Sequence, residues 1–300
     1  LPMFPDRLPL SRRAVIASLA VVPLALSARA EAPRFRRIAT LDYAVAATLI
    51  ETGGALAAVA EAADWDKWMG APALPAGVVN LGSAWEVNFE LLAALKPDLI
   101  ITTPYLDALL PKLKDIAPCL RISVFDGSGE PVLPKAIAET RRMGDYLGAS
   151  AAISAYLDRS DQLFADCRSR LARLPERDLL LFYLIDDRHA YVYGAPGLYQ
   201  GALDRLGVKN AWTSPCNYWG FAMTGLEGLG AAAGDSTHAI LFEPTPRDVM
   251  AKIGQSPIWQ ALPFNRTGRL SILPPALAYG MVTEATRFAD LLTSAIEARS

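Results

Sequence analysis

The chain has 300 residues, 52% of them apolar and 20% charged, with a net charge of −2 at pH 7. That balance describes a well-packed globular protein of one large domain or two lobes and excludes a disordered chain. The near-neutral charge leaves no electrostatic footprint for nucleic acid or for an anionic membrane surface.

In chain order the first feature is a targeting pattern. Ser11, Arg12 and Arg13 lead into an apolar run over residues 17–26, and Ala28, Arg29 and Ala30 follow. Basic region, apolar core and small-x-small site form the layout of a secretory signal. The paired arginines point to the twin-arginine route, which carries proteins that fold before they cross. Residues 1–30 are therefore expected to be a cleaved signal, with the mature protein beginning at Glu31. The run is shorter than the roughly 20 residues that a spanning helix needs, and no later run reaches that length.

Beyond the signal, strands alternate with helices in two blocks. In the first, strands are expected at 36–40, 55–60, 78–81, 98–103 and 120–125, and helices at 43–51, 88–95 and 109–117. Gly53 and Gly54 end the first helix, and Lys96-Pro97 stops the second before the strongly apolar strand 98–103. The second block has expected strands at 178–185, 191–193, 238–242 and 270–273, and helices at 198–206, 247–261 and 281–298. Between the blocks lies a long helical stretch, 134–174, with Ile137, Met143, Leu147, Ile153, Leu157 and Phe164 as its apolar positions. Its one interruption is Gly148-Ala149-Ser150. The fold class is α/β: two α/β lobes joined by a stiff helical segment, kinked or broken near Gly148.

Chemistry-bearing motifs are few. Cys119, Cys167 and Cys216 form no CxxC pair, which argues against a zinc or redox site. Buried free thiols fit them better than one disulfide, whose partners the spacing leaves open. His189 and His238 are the only histidines, read as a turn residue and a strand start, too isolated for a receptor of bare metal ions. No GxSxG elbow and no phosphate loop occur. Gly228, Gly230 and Ala233 match GxGxxA but follow no expected strand, so no dinucleotide site is expected there. Asp186, Asp187 and His189 are acid–base candidates by type and solvated turn residues by position.

What accumulates instead is aromatic. Trp65, Trp68, Tyr105, Tyr191, Tyr193, Trp212, Tyr218, Trp219 and Tyr279 fall near expected strand ends and turns. Open α/β sheets bind ligands past their strand C-termini. Rings combine apolar area with a polar tip, which suits an organic ligand in a cleft.

Asn210-Ala211-Trp212, followed by Asn217-Tyr218-Trp219-Gly220, resembles the second-lobe signature of the periplasmic ferric-hydroxamate siderophore-binding proteins. These belong to the iron-siderophore and cobalamin receptors of ABC importers. Leu184-Ile185-Asp186-Asp187-Arg188-His189, Tyr193-Gly194, Leu95-Lys96-Pro97-Asp98, Ile116-Ala117-Pro118, Pro257-Ile258-Trp259-Gln260 and Tyr279-Gly280 match the same family in order. The resemblance implies lobes over residues 31–143 and 171–300, bridged by one long helix over 144–170, with a shallow cleft and limited closure. It implies a periplasmic monomer that delivers a ferric siderophore, of hydroxamate type, to an inner-membrane ABC permease. It implies no catalysis, no cofactor and no direct metal ligand, because the ligand itself carries the Fe3+.

Carried over by motif, the cleft would be lined by Tyr43, Trp68, Trp85, Tyr105, Ile185, Tyr191, Asn217, Trp219 and Tyr279. Permease docking would use Glu227, with Asp107 as its first-lobe counterpart. The spacing Thr224-x-x-Glu227 also fits a capping box. Two positions depart from the family. Where it has an arginine holding the iron-bound hydroxamate oxygens, this chain has Ala84, followed by Trp85. Where it has a tryptophan before the tyrosine-glycine pair, this chain has Leu277. A missing arginine removes the cationic fork aimed at the chelate and opens the alternative of cobalamin, haem or another metal chelate. An exported α/β enzyme is the remaining competitor, disfavoured by the absent catalytic constellation.

Overall fold

The structure, a computed structural model, describes residues 34–299; the expected signal over residues 1–30 lies outside the described residues. The first block runs β1 (Ile38–Thr40), α1 (Tyr43–Glu51), β2 (Leu56–Val59), the single turn α2 (Trp65–Trp68), β3 (Val79–Asn80), α3 (Phe89–Ala94), β4 (Leu99–Thr102), α4 (Leu110–Lys114) and β5 (Cys119–Arg121). These strands form a five-stranded, all-parallel sheet in the order β3-β2-β1-β4-β5. β4 is buried along its whole length, which is why its sequence carries no polar alternation. Asp98 accepts the backbone N–H groups of Arg36 and Arg37 at 2.6 and 3.0 Å and so ties the start of β1 to the start of β4. The chain winds outward from β1 to β3, returns to β4 and winds out to β5. The winding reverses between β1 and β4, so the switch point lies at the ends of those two strands. The helix expected at 109–117 is shortened to α4: a 3-10 turn over Pro104–Leu109 precedes it, and it ends at its C-cap Asp115.

The second block contains β6 (Leu179–Leu184), β7 (His189–Tyr193), α7 (Leu198–Leu206), β8 (Phe221–Gly225), α8 (Leu226–Ala232), β9 (His238–Phe242), α9 (Arg247–Ile253), α10 (Pro257–Ala261), α11 (Pro263–Arg266), β10 (Leu270–Leu273) and α12 (Val282–Glu297). Its sheet runs β10-β9-β6-β7-β8, parallel from β10 to β6 and antiparallel through the β6-β7-β8 meander. Asp186 Oδ1 accepts the Arg188 and His189 amides at 2.7 Å and closes the β6–β7 hairpin, so the candidate acid–base pair is a turn device. β8, α8 and α11 go beyond the sequence expectation. β8 is a half-exposed edge strand, with Met223 67% exposed, and lacks the apolar run that marks buried strands. The GxGxxA segment therefore does follow a strand. Gly228 and Gly230 nevertheless lie inside α8, and a Cβ at Gly228 would fall 1.9 Å from Thr224 Oγ1, so no open loop for a phosphate forms. The helix expected at 247–261 is two helices: Pro257 cannot continue α9 and instead opens α10, capped by Ser256.

The stretch 134–174 forms α5 (Val132–Leu147) and α6 (Ser150–Leu171), separated at Gly148, whose φ of +68° ends α5. At its start α5 touches the second block, where the Val132 amide donates to the Pro196 carbonyl at 2.9 Å. At its end it touches the first, where Phe35 stacks on Tyr146 at 5.7 Å. α6 returns: the Tyr156 hydroxyl meets Thr283 Oγ1 at 2.7 Å, and Asp161 pairs with Arg205 at 2.5 Å. One apolar core runs through all of this. It joins Ile38, Leu99 and Leu120 of the first sheet, Met143, Ile153 and Phe164 of the bridging helices, Leu181 and Ile240 of the second sheet, and Phe288 and Leu292 of α12. Separate clusters cover the outer face of each sheet. The three cysteines are free; Cys167 is buried and the other two half-buried.

Glu284 sits in this core, 1% exposed, on the first turn of α12. Its Oε2 accepts the Met281 amide at 2.7 Å, and its Oε1 has no partner. Burial pushes its carboxyl up to about 8, so it is a neutral acid at pH 7. A raised acid stabilises the fold below the unfolded value of 4.5, and that contribution is lost as pH rises through about 8. Buried His238 is pushed down to about 4 by desolvation, so its contribution to the pH dependence falls below 6.5, outside the alkaline half of this window. Between pH 6.5 and 8, wild type is expected to lose stability by up to ~1.4 kcal/mol per pH unit relative to Glu284→Gln, which keeps the acceptor for Met281. Urea unfolding at both pH values measures the difference, and parallel slopes for the two proteins would refute the neutral-acid assignment.

Candidate functional site

The first lobe presents its switch point through a carboxylate and a phenol. Asp42 follows β1 and caps α1, its Oδ1 accepting the Val45 amide at 2.9 Å. Its Oδ2 accepts the hydroxyl of Tyr105, which sits in the 3-10 turn after β4. The pair therefore clamps together the ends of the two strands between which the winding reverses. Burial raises the Asp42 carboxyl above its ordinary value, against the opposing hydrogen bonds from Tyr105 and Val45. Burial, then the Asp42 charge, holds the Tyr105 phenol well above 10. Beside them Arg121 grips Asp107 in a two-bond fork of 2.7 and 2.8 Å.

The second lobe answers with a tight turn. Asn217 Oδ1 accepts the amides of Trp219 at 3.0 Å and Phe221 at 3.3 Å, and the Gly220 amide returns to the Asn217 carbonyl at 2.9 Å. This turn pushes the indole of Trp219 out between the lobes. There it meets Tyr105 at 5.6 Å, Phe125 at 5.0 Å, Tyr279 at 5.4 Å and Tyr218 at 5.1 Å. The array continues from Tyr105 to Trp85 at 5.9 Å, and from Tyr279 through Phe221 to Tyr191 at 6.0 and 4.6 Å. Tyr183 lies opposite Tyr191 on the neighbouring strand, and Met223 flanks it on the other side. Burial pushes the Tyr279 phenol up to about 12, so it stays protonated. The rings close on one another above a cavity of about 10 Å³, lined by Asp42, Thr103, Tyr105, Phe125, Tyr279 and Met281 among others. Larger hollows, of 330 Å³ beside Arg168 and Arg177 and of 470 Å³ between α6 and α12, include none of the arrayed rings.

Of the residues read from the sequence, Trp85, Tyr105, Tyr191, Trp219 and Tyr279 come together in this array. Tyr43 stands edge-on to Trp65 at 5.4 Å and donates its hydroxyl to the Glu61 carbonyl at 2.5 Å. Trp68 lies under the Lys67 ammonium, 4.8 Å from the ring centre. Ile185 closes the β6–β7 hairpin through its amide. Asn217 serves the turn with its carbonyl oxygen. Trp65 and Tyr193 are core rings, and Trp212 packs half-buried against the outer cluster of the second sheet. Phe125, Phe221, Tyr183 and Asp42 are additions. Phe125 ends the expected strand 120–125, so the strand-end rule that singled out Tyr105 reaches it too.

Position 84 is buried. Ala84 is 7% exposed and belongs to a first-sheet cluster against which Tyr105 also packs, whereas Trp85 is 67% exposed and leans on Tyr105. Leu277 packs into the cluster of Tyr43, Trp65 and Met69. Glu227 is exposed on the first turn of α8, and the capping box does not form: Gly225 is the N-cap and no side-chain cap bond is made. No group of three or more His, Cys, Asp or Glu residues that could hold a metal ion occurs among the described residues.

The sequence profile described as periplasmic binding protein matches residues 38–277. The chain is 31% identical over 290 residues to the iron(3+)-hydroxamate-binding protein FhuD of Escherichia coli strain K12, covering 96% of this chain and 97% of that protein. Its structure is similar to the Fe3+–Desferal-bound siderophore-binding protein FhuD of Vibrio cholerae, with a TM-score of 0.81, 23% identity, and coverage of 87% of this chain and 97% of that one. It is similar also to the petrobactin-binding protein YclQ of Bacillus subtilis, with a TM-score of 0.69, 16% identity, and coverage of 88% and 92%. At these identities the two solved structures establish the fold.

The turn that carries Trp219 depends on Gly220. Its φ is +85°, and a Cβ there would lie 2.1 Å from the Gly197 Cα. Gly220→Ala is expected to lower stability by ~2 kcal/mol or more and to shift the Trp219 emission as the indole leaves the array. Denaturant unfolding followed by intrinsic fluorescence measures both. Wild-type values for the two would mean that the turn does not set the indole.

Proposed function

The chain belongs to the periplasmic binding protein family, and from that premise we propose that it is the substrate-binding component of an ABC importer that captures a ferric siderophore of hydroxamate type and hands it to an inner-membrane permease. The observation that carries this reading is the ring array at the switch point, drawn from both lobes, in a chain 31% identical to an iron(3+)-hydroxamate-binding protein. A siderophore already fills the coordination sphere of its iron, so the protein contributes no metal ligand. What it contributes is apolar ring surface and a few hydrogen-bonding groups, which fits a cleft with Tyr105, Trp219 and Tyr279 at its centre. The ligand leaves unchanged, and the protein acts as a receptor rather than as an enzyme.

The remaining assignments follow the same reading. Lobes over residues 31–143 and 171–300, with a bridge over 144–170, share one core and close little. Residues 1–30 direct export to the periplasm, where the protein works as a monomer. Glu227, exposed and free of a capping role, meets the permease from the second lobe. Asp107 meets it from the first by exchanging Arg121 for a permease arginine.

Trp219 touches rings of both lobes, and truncating a central aromatic anchor commonly costs ~2 kcal/mol or more of binding. Trp219→Ala is expected to weaken ferric hydroxamate binding about thirtyfold, at ~1.4 kcal/mol per factor of ten. Fluorescence quenching against ferric hydroxamates, catecholates, carboxylates, cobalamin and haem measures this in wild type. Tyrosine emission or calorimetry serves for the variant. Tightest binding of cobalamin or haem would overturn the siderophore reading, and undiminished binding by folded Trp219→Ala would misplace the cleft. For export, Arg12→Lys with Arg13→Lys is expected to leave folded precursor in the cytoplasm. Fractionation checks this, and normal export of the double variant would remove the twin-arginine assignment.

A further inference from the structure

Among the described residues, the first-lobe wall of the cleft offers an anion the Thr103 hydroxyl and no free cation. Tyr105 donates its proton to Asp42, and Tyr43 donates its proton to the Glu61 carbonyl. Toward a ligand the Tyr105 phenol therefore presents oxygen lone pairs rather than its proton, and the Tyr43 phenol, which stands apart against Trp65, has no proton to offer either. The charged groups that act on Tyr105 are Asp42 and Glu61, and those that act on Tyr43 are Glu61 and Asp64; all are carboxylates. Among the described residues, the cations that lie over rings sit on Phe35, Tyr146, Trp68, Phe89 and Phe164, and none sits on Tyr105, Trp219 or Tyr279. Arg121 is held by both oxygens of Asp107. Ala84 supplies no charge and faces the core.

Resting on the siderophore reading, we propose that this cleft selects ferric chelates by charge, taking neutral or positively charged complexes and rejecting anionic ones. The ligand group that the first-lobe wall is built to meet is a proton donor at the edge of the chelate, an ammonium or an amide N–H. A cation placed above Tyr105 favours the ionised form of buried Asp42, whereas an anion there adds to the burial that already opposes ionisation. The indole and phenol faces reinforce the preference, because a ring face is electron-rich.

The test uses one linear ferric trihydroxamate in three forms: ending in a free amine, N-acetylated and N-succinylated, so that the net charge is positive, zero and negative on one iron core. At low salt the amine form is expected to bind about tenfold tighter than the succinyl form, with the acetyl form between them, and salt should narrow the gap. Asp42→Asn, which removes the charge, keeps the α1 cap through its carbonyl oxygen and turns its amide N–H2 toward the Tyr105 hydroxyl, and Glu61→Gln, a change outside the buried core, should each shrink the ratio at least about twofold. If Asp42→Asn fails to fold, Glu61→Gln carries the comparison alone. Equal or tighter binding of the succinyl form by wild type overturns charge selection, as does a ratio that neither variant changes. Failure of all three forms to bind would instead overturn the siderophore reading, so the two failures are distinguishable.

Discussion

The continuous apolar core from one sheet to the other is the constraint on which the rest depends. Leu99 in the first sheet, Ile153 on the bridge, Leu181 in the second sheet and Phe288 on α12 belong to one packed cluster. Parting the lobes by a wide hinge would expose that cluster to water, at roughly 25 cal/mol for each Å² of apolar surface. Close packing at Gly144 against Ile153 and at Gly201 against Leu133 leaves α5 little room to slide on its neighbours. A wide separation of the lobes therefore carries a large cost in exposed apolar surface.

Those surfaces are set by backbone devices rather than by rings alone. On one side the Asp42–Tyr105 bond joins the ends of β1 and β4, so the phenol cannot swing without breaking a part-buried hydrogen bond. On the other, the Asn217 side chain and the Gly220–Gly197 approach fix the loop that carries Trp219. Each lobe thus supplies one pinned aromatic group, and Phe125, Phe221 and Tyr279 fill in around them. Side chains pinned in this way have little further freedom to lose when something packs against them.

Much of this was legible in the sequence, for reasons that differ by element. The strands 238–242 and 270–273 and the helix 198–206 agree with β9, β10 and α7 to the residue, because buried apolar runs and a Gly207 stop are local signals. β8 escaped because an edge strand with an exposed Met223 need not alternate or run apolar. The split at Pro257 was written in the sequence and was overridden by the amphipathic spacing around it. Among the rings, strand-end position pointed to Tyr105, and the Asn217–Gly220 motif pointed to Trp219; both lie in the array. Ring type also drew in Trp65, which is core, and Trp212, which packs half-buried on the outer face of the second sheet, because ring type alone does not tell a wall from an interior. Asp42 was invisible for the opposite reason: its sequence reads as an ordinary helix cap, and only the fold brings Tyr105 to its second oxygen. Position 84 could be aligned from the sequence but not oriented; that its side chain faces inward while Trp85 faces the rings follows from the loop geometry.

Trp219 packed against Tyr105, Phe125 and Tyr279 has one more consequence. Tyr105 and Phe125 come from the first block and Tyr279 from the second, so one indole is wedged between both. The ring contacts then depend on how the two blocks are spaced, and that spacing is set by the core they share. A change in the packing of the bridging helices would reach the array without touching any residue in it.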